Sequence, residues 1–108
     1  MFPIKIPIEE NPDINRKARV VIPPIERVYR EVSERIDDFE ECAVCLTPEE
    51  AIEEASRCLH CPQPSPCIGA CPLGNNISEA LWLIEQGRFI EAAELYRLTN
   101  PMPEICGR

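Results

Sequence analysis

Between residues 58 and 72 the chain reads Cys-Leu-His-Cys-Pro-Gln-Pro-Ser-Pro-Cys-Ile-Gly-Ala-Cys-Pro. Pro62, Pro64 and Pro66 fall inside this stretch, and Pro72 follows its last cysteine. A proline removes a backbone donor and its ring clashes with the preceding helical turn. The segment is therefore predicted to be a loop, and whatever fold surrounds it must be built from the flanking sequence. Cys58, Cys61, Cys67 and Cys71 are separated by two, five and three residues. With no regular backbone between them, their sulfurs are free to gather around one centre.

The flanks read as helices. Thr47-Pro48-Glu49-Glu50 places a capping hydroxyl, a first-turn proline and a glutamate at capping-box spacing. Ala51, Ile52, Ala55 and Leu59 continue that stripe and bring Cys58 to its end. Ile77, Ala80, Leu81 and Ile84 form a second stripe, closed by Gly87. Phe89, Ala92, Ala93 and Tyr96 form a third, stopped by Asn100-Pro101-Met102-Pro103. Upstream, Pro23-Pro24 is read as a helix opening. Ile25, Val28, Tyr29, Val32, Ile36 and Phe39 recur behind it at helical spacing, with Glu26, Arg27, Arg30, Glu31, Glu34 and Arg35 on the other face. Residues 1–24 read as an extended, proline-rich arm, either a loose tail or a contact for another domain or subunit. No strand is expected, so the fold class is all-α, with the arm followed by a helical domain over residues 25–108.

Composition narrows the functional classes. The formal net charge is −8, which repels phosphate backbones and argues against nucleic acid. No apolar run nears the ~20 residues that span a bilayer. The proline-broken start lacks a signal-peptide stretch, so a soluble, cytoplasmic protein is expected. Seven cysteines in 108 residues then point to metal or redox chemistry, and their odd number leaves one thiol over from any complete disulfide pairing. Three Phe, two Tyr and one Trp are few large aromatics, so bound metal would supply part of the folding free energy.

Iron–sulfur clusters take thiolates from compact loops that end in Cys-Pro, and Cys58-x2-Cys61-x5-Cys67-x3-Cys71-Pro72 has that form. Free amides in such a loop can hydrogen-bond sulfur and tune a cluster. Zinc is the competing reading. Cys42-x2-Cys45 and Cys58-x2-Cys61 resemble two zinc knuckles, but a helix between them would hold the pairs roughly 20 Å apart at about 1.5 Å per residue. Zinc held by Cys58, Cys61, Cys67 and Cys71 alone stays open. His60, the one histidine, lies between two of these cysteines and is either a hydrogen-bonding neighbour of the site or an ordinary loop residue. The carboxylate pairs Glu49/Glu50 and Glu53/Glu54 read as a solvated helix face. No Ser–His–Asp set, histidine pair, phosphate loop or G-x-G-x-x-G fingerprint is present.

A wider match runs through Asp38-Phe39-Glu40, Thr47-Pro48-Glu49-Glu50-Ala51 and Glu54-Ala55-Ser56-Arg57-Cys58-Leu59-His60-Cys61. It continues through Pro66-Cys67-Ile68-Gly69-Ala70-Cys71-Pro72-Leu73-Gly74-Asn75, Gly87-Arg88-Phe89 and Asn100-Pro101-Met102-Pro103-Glu104-Ile105-Cys106-Gly107-Arg108. From Ile36 onward the chain thus resembles the N-terminal domain of the glutamate synthase small subunit, and the related domains that open dihydropyrimidine dehydrogenase and NADH-dependent ferredoxin:NADP oxidoreductases. The resemblance implies an alpha-helical ferredoxin-like domain with two 4Fe–4S clusters. It implies electron exchange with a flavoprotein domain or subunit that binds FAD and NAD(P)H, and a glutamate synthase large subunit as a further partner. It also implies that Cys58, Cys61 and Cys67 hold the first cluster and that Cys71 begins the second.

The family pattern continues beyond Gly107-Arg108 with a second cysteine group and then the flavin and nucleotide domains. The chain is therefore expected to be a fragment of a longer oxidoreductase and not catalytic alone. Incomplete clusters, one centre shared by the four cysteines, and a metal-free remnant all remain open. Cys42 and Cys45 stand where the family has apolar residues and glycine. They are a redox pair, an extra metal half-site, substitute ligands, or thiols without a role. Cys106 occupies a non-ligand position of the family and is a further possible ligand. The alternative function is a zinc-stabilised or metal-free helical interaction module.

Overall fold

The computed structural model describes residues 14–62 and 65–107. Among the described residues the helices in chain order are α1 (Arg16–Val20), α2 (Val32–Arg35), α3 (Pro48–Ala55), α4 (Pro66–Ala70), α5 (Ile77–Glu85), α6 (Phe89–Arg97) and α7 (Pro103–Cys106). Among the described residues the sole β feature is one isolated antiparallel bridge, Tyr29 to Ala43. The expectation of a helical protein holds at this level.

The centre of the fold is the hairpin of α5 and α6. Ala80 and Leu83 from α5 meet Ala92 and Leu95 from α6, and half-buried Ile84 and Tyr96 pack against them. Two alanines in this set let the helix backbones come close. Gly87 makes the reversal possible. Its φ of +74° is a left-handed conformation that an L side chain adopts at a cost. The Arg88 N–H then closes on the Leu83 carbonyl at 2.9 Å and the Gly87 N–H on the Ile84 carbonyl at 2.9 Å. At the far end the buried Asn100 accepts from the Met102 N–H at 3.0 Å, so the chain turns out of α6 at the expected stop.

α3 packs on α5 and buries Ala55. Thr47 Oγ1 accepts from the Glu50 N–H at 3.2 Å and Pro48 occupies the first turn, as the sequence predicts. The helix ends at Ala55, however, short of Cys58. Two tighter bonds follow, Arg57 N–H to Glu54 and Cys58 N–H to Ala55, so Cys58 sits one turn beyond the helix proper.

Three other expectations are corrected. Residues 25–31 are not helical, and only Val32–Arg35 of the predicted first helix forms. The Arg30 N–H donates to the Cys42 carbonyl at 2.9 Å and the Val44 N–H to the Val28 carbonyl at 2.8 Å, which claims those groups for a bridge. The predicted apolar stripe consequently faces outward: Val28, Val32, Ile36 and Phe39 are all exposed. Tyr29 is held instead between the guanidinium groups of Arg27 and Arg35, 5.7 and 5.9 Å from its ring centre. Second, the arm is not wholly extended, since Arg16–Val20 is a helix capped by the Asn15 side chain. The part of the arm before residue 14 lies outside the described residues. Third, the cysteine segment is not all loop. Pro66 takes the first position of α4, where its missing N–H is harmless, and Cys67 follows it.

Replacing Leu83 by Ala, which empties a fully buried position, is expected to lower the unfolding free energy by roughly 3 kcal/mol. Thr47→Ala, which frees the Glu50 N–H, is expected to lower it by about 1 kcal/mol. Denaturant titration of each variant checks both.

Candidate metal centre

The cysteine loop is held from two sides. Below it lies the α5–α6 hairpin; across it lies α1. After α3 ends, the carbonyls of residues 56–60 have no helical partners, and buried carbonyls need donors. Two arginines supply them. Arg19 donates to the Ser56 carbonyl at 2.7 Å and the Cys58 carbonyl at 2.9 Å. Arg16 donates to the Leu59 and His60 carbonyls, each at 2.9 Å. The adjoining segment is fastened along α3, where the Ile25 N–H donates to Glu54 at 2.9 Å and Arg57 donates to the Ile22 carbonyl at 3.2 Å. That Ile25 bond, with the Arg57 guanidinium, holds the Glu54 carboxyl below its ordinary range.

His60 is the pivot of the loop. Its φ is +47°, a left-handed conformation rare for residues other than glycine, in which histidine is nonetheless enriched. This turn sends its ring inward, edge-on to Trp82 with centroids 5.3 Å apart. The ring Nε2 lies 3.1 Å from Glu85 Oε1. Glu85 also receives a two-pronged bond from Arg19, at 2.7 and 3.1 Å. The side chains of His60 and Glu85 are each 8% exposed and that of Arg19 is 16% exposed. His60 is therefore a built part of the site and not a free loop residue.

Of the four candidate cysteines, Cys61 and Cys67 are exposed and Cys58 and Cys71 are partly buried. Cys58 is half-buried, and burial pushes its thiol up. The His60 N–H, 3.4 Å from its sulfur, opposes this, while the charges of Cys67, Glu85 and Cys61 add to it. Cys61 and Cys67 thus lie near enough to Cys58 to act on its thiol. Cys67 donates to the hydroxyl of Ser65 at 3.7 Å. Ser65 is buried and, although it stands at the N-cap of α4, makes no capping bond. Its hydroxyl is left for the sulfur. After Pro72 the chain turns through Gly74 at φ +63°, whose N–H closes on the Cys71 carbonyl at 3.0 Å. The backbone amides of Asn75 and Leu73 hold the Cys71 thiol below its ordinary value. Tyr96 is half-buried, and burial raises its phenol, reinforced by the charges of Cys67, Cys58 and Cys71.

Tetrahedral zinc with Zn–S near 2.3 Å needs sulfurs about 4 Å apart. Among the described residues no three His, Cys, Asp or Glu side chains converge closely enough to share one metal ion. The donor set fits a 4Fe–4S cluster in its chemistry. It offers thiols on one short segment and an amide donor at the Cys58 sulfur. A cation bound beside Cys58 would also reverse the effect of burial on its thiol.

Cys42, Cys45 and Cys106 are all exposed. Cys42 and Cys45 flank the Tyr29–Ala43 bridge, and α3 intervenes before Cys58, so the two-knuckle zinc reading has no support in the fold. Cys106 closes α7. Sequence reasoning missed Arg16, Arg19, Ser65, Trp82, Glu85 and Tyr96. Only Ser65 carried a local signal, as a cap residue ahead of a first-turn proline. The rest reach the loop through tertiary packing.

No helix among the described residues is long and apolar enough to cross a membrane. No solved structure matches the chain. The glutamate synthase [NADPH] small chain of Azospirillum brasilense is 44% identical over 79 residues, covering 73% of this chain and 16% of that protein. The corresponding small chain of Halomonas elongata is 43% identical over 74 residues, covering 68% and 16%. The NAD-dependent dihydropyrimidine dehydrogenase subunit PreT of Escherichia coli O157:H7 is 38% identical over 70 residues, covering 65% and 17%. The chain thus spans about a sixth or less of the length of these curated relatives. A sequence model of the family described as dihydropyrimidine dehydrogenase domain II, 4Fe–4S cluster, matches residues 35–108. With that match over more than half its length, the chain belongs to this family of iron–sulfur domains.

Proposed function

We propose that the chain is an electron-relay domain whose cysteine loop holds iron–sulfur clusters between a flavoprotein and a further acceptor. The observation that carries this reading is the 4Fe–4S family match over residues 35–108, which contains Cys58, Cys61 and Cys67 in a segment whose start Arg16 and Arg19 brace. In this reading those three thiolates hold one 4Fe–4S cluster. Cys71, on whose thiol the amides of Asn75 and Leu73 act, serves a second. A bound cluster supplies one-electron chemistry. The chain's own part is to supply thiolates, to direct the His60 N–H at the Cys58 sulfur and to hold the loop in place through Arg16 and Arg19.

The helices then form an alpha-helical ferredoxin-like domain, acting as one part of a larger cytoplasmic oxidoreductase. Its electron source is a flavoprotein domain or subunit that binds FAD and NAD(P)H, and a large subunit of the glutamate synthase type is the downstream partner. Two relatives carry the words glutamate synthase and NADPH in their names, which supports this assignment. Residues 14–24 act with the helical part, because their contacts run directly to its cysteine loop.

Anaerobic reconstitution with ferrous iron and sulfide is expected to give a brown protein whose visible absorption bleaches on chemical reduction. A colourless product that retains zinc instead would overturn the proposal. Serine at Cys58, Cys61 or Cys67 is expected to remove the same increment of iron and sulfide. Cys71→Ser is expected to change a different spectral component, and Cys42→Ser or Cys45→Ser neither. Iron and sulfide analysis with low-temperature electron paramagnetic resonance separates these outcomes.

A further inference from the structure

Arg16 and Arg19 lie before residue 35, outside the stretch that matches the cluster-domain family. Between them they bind the carbonyls of four residues, Ser56, Cys58, Leu59 and His60. Arg19 also pairs with Glu85, whose Oε1 lies within reach of His60 Nε2 as well. These charges stand next to Cys58. Arg19 and Glu85 each act electrostatically on Cys58, with opposite sign.

We propose that Arg16 and Arg19 are positioning residues for the Cys58–Cys61 loop, and that Arg19 and Glu85 set by opposing charges how readily this site accepts an electron. The inference rests on the reading that Cys58, Cys61 and Cys67 hold a cluster. An electron arriving among those thiolates, from a reductant such as dithionite, adds one negative charge there and moves no proton. A nearby positive charge favours that change and a nearby negative charge opposes it. In the wild-type chain Arg19 offsets Glu85, while Arg16 adds a positive charge with no carboxylate partner among the described ion pairs. Removing Arg19 alone uncovers the Glu85 carboxylate beside Cys58. Removing Glu85 alone uncovers Arg19.

The test is a redox titration of the cluster-loaded chain and its variants, with iron content and circular dichroism recorded in parallel. Arg19→Gln is expected to shift the midpoint potential negative. At a fixed potential the reduced-to-oxidised ratio should fall roughly tenfold. Arg16→Gln should shift it the same way. Glu85→Gln should shift it positive, and the double variant Arg19→Gln with Glu85→Gln should return close to wild type. Arg19→Lys, which keeps the charge but loses the fork, should hold the potential while loosening the loop, seen as faster amide exchange at residues 56–60. A loss of structure alone would not reverse sign between Arg19→Gln and Glu85→Gln. Loaded variants that all titrate at the wild-type potential would overturn this inference and leave the cluster reading standing. A wild-type chain that takes up no iron and sulfide would overturn the cluster reading itself. Should Arg19→Gln fail to fold, Glu85→Gln and Arg16→Gln still decide the sign.

Discussion

Everything near the cysteines depends on a set of carbonyl groups that no helix satisfies. α3 stops at Ala55, α4 does not begin until Pro66, and the prolines between them deny the intervening backbone a helical ladder. A loop of this kind, partly covered, would leave acceptors without donors. The guanidinium groups of Arg16 and Arg19 meet that need, and they do so while closing an ion pair on α5. One small helix therefore fixes the loop against the hairpin, and the thiols take their places from it.

The remaining polar groups at the site follow the same logic. Ser65 forgoes a helix cap and is available to Cys67. The amides of Asn75 and Leu73 act on the Cys71 thiol. The buried Ser65, spent in this manner, marks a place where local structure yields to the needs of a ligand.

The elements readable from sequence are those specified by near neighbours. Thr47 with Pro48, Gly87, and Asn100 with Pro101 each act over a few residues, and the structure ends or begins its helices there. The region from Ile25 to Phe39 misled because its apolar spacing suits a helix, while its actual partners, Cys42 and Val44, are supplied by a later segment. Pro66 misled for the opposite reason. A proline bars the interior of a helix but starts one well, and the pattern around it does not say which role applies. The cysteine spacing announced the ligand chemistry. The division into three sulfurs and one was implied only by resemblance, and the surrounding residues could not be read at all. Arg19 and Glu85 are 66 residues apart in the chain, and no periodicity links positions at that distance.

That separation has a bearing on biosynthesis. A chain emerging from its N-terminus presents Arg16 and Arg19 first, then the thiols of the loop, and only afterwards the glutamate that locks them together. Until α5 has been made, Arg19 can hold the loop carbonyls but has no Glu85 to pair with, so α1 and the loop can join before either is fixed to the hairpin.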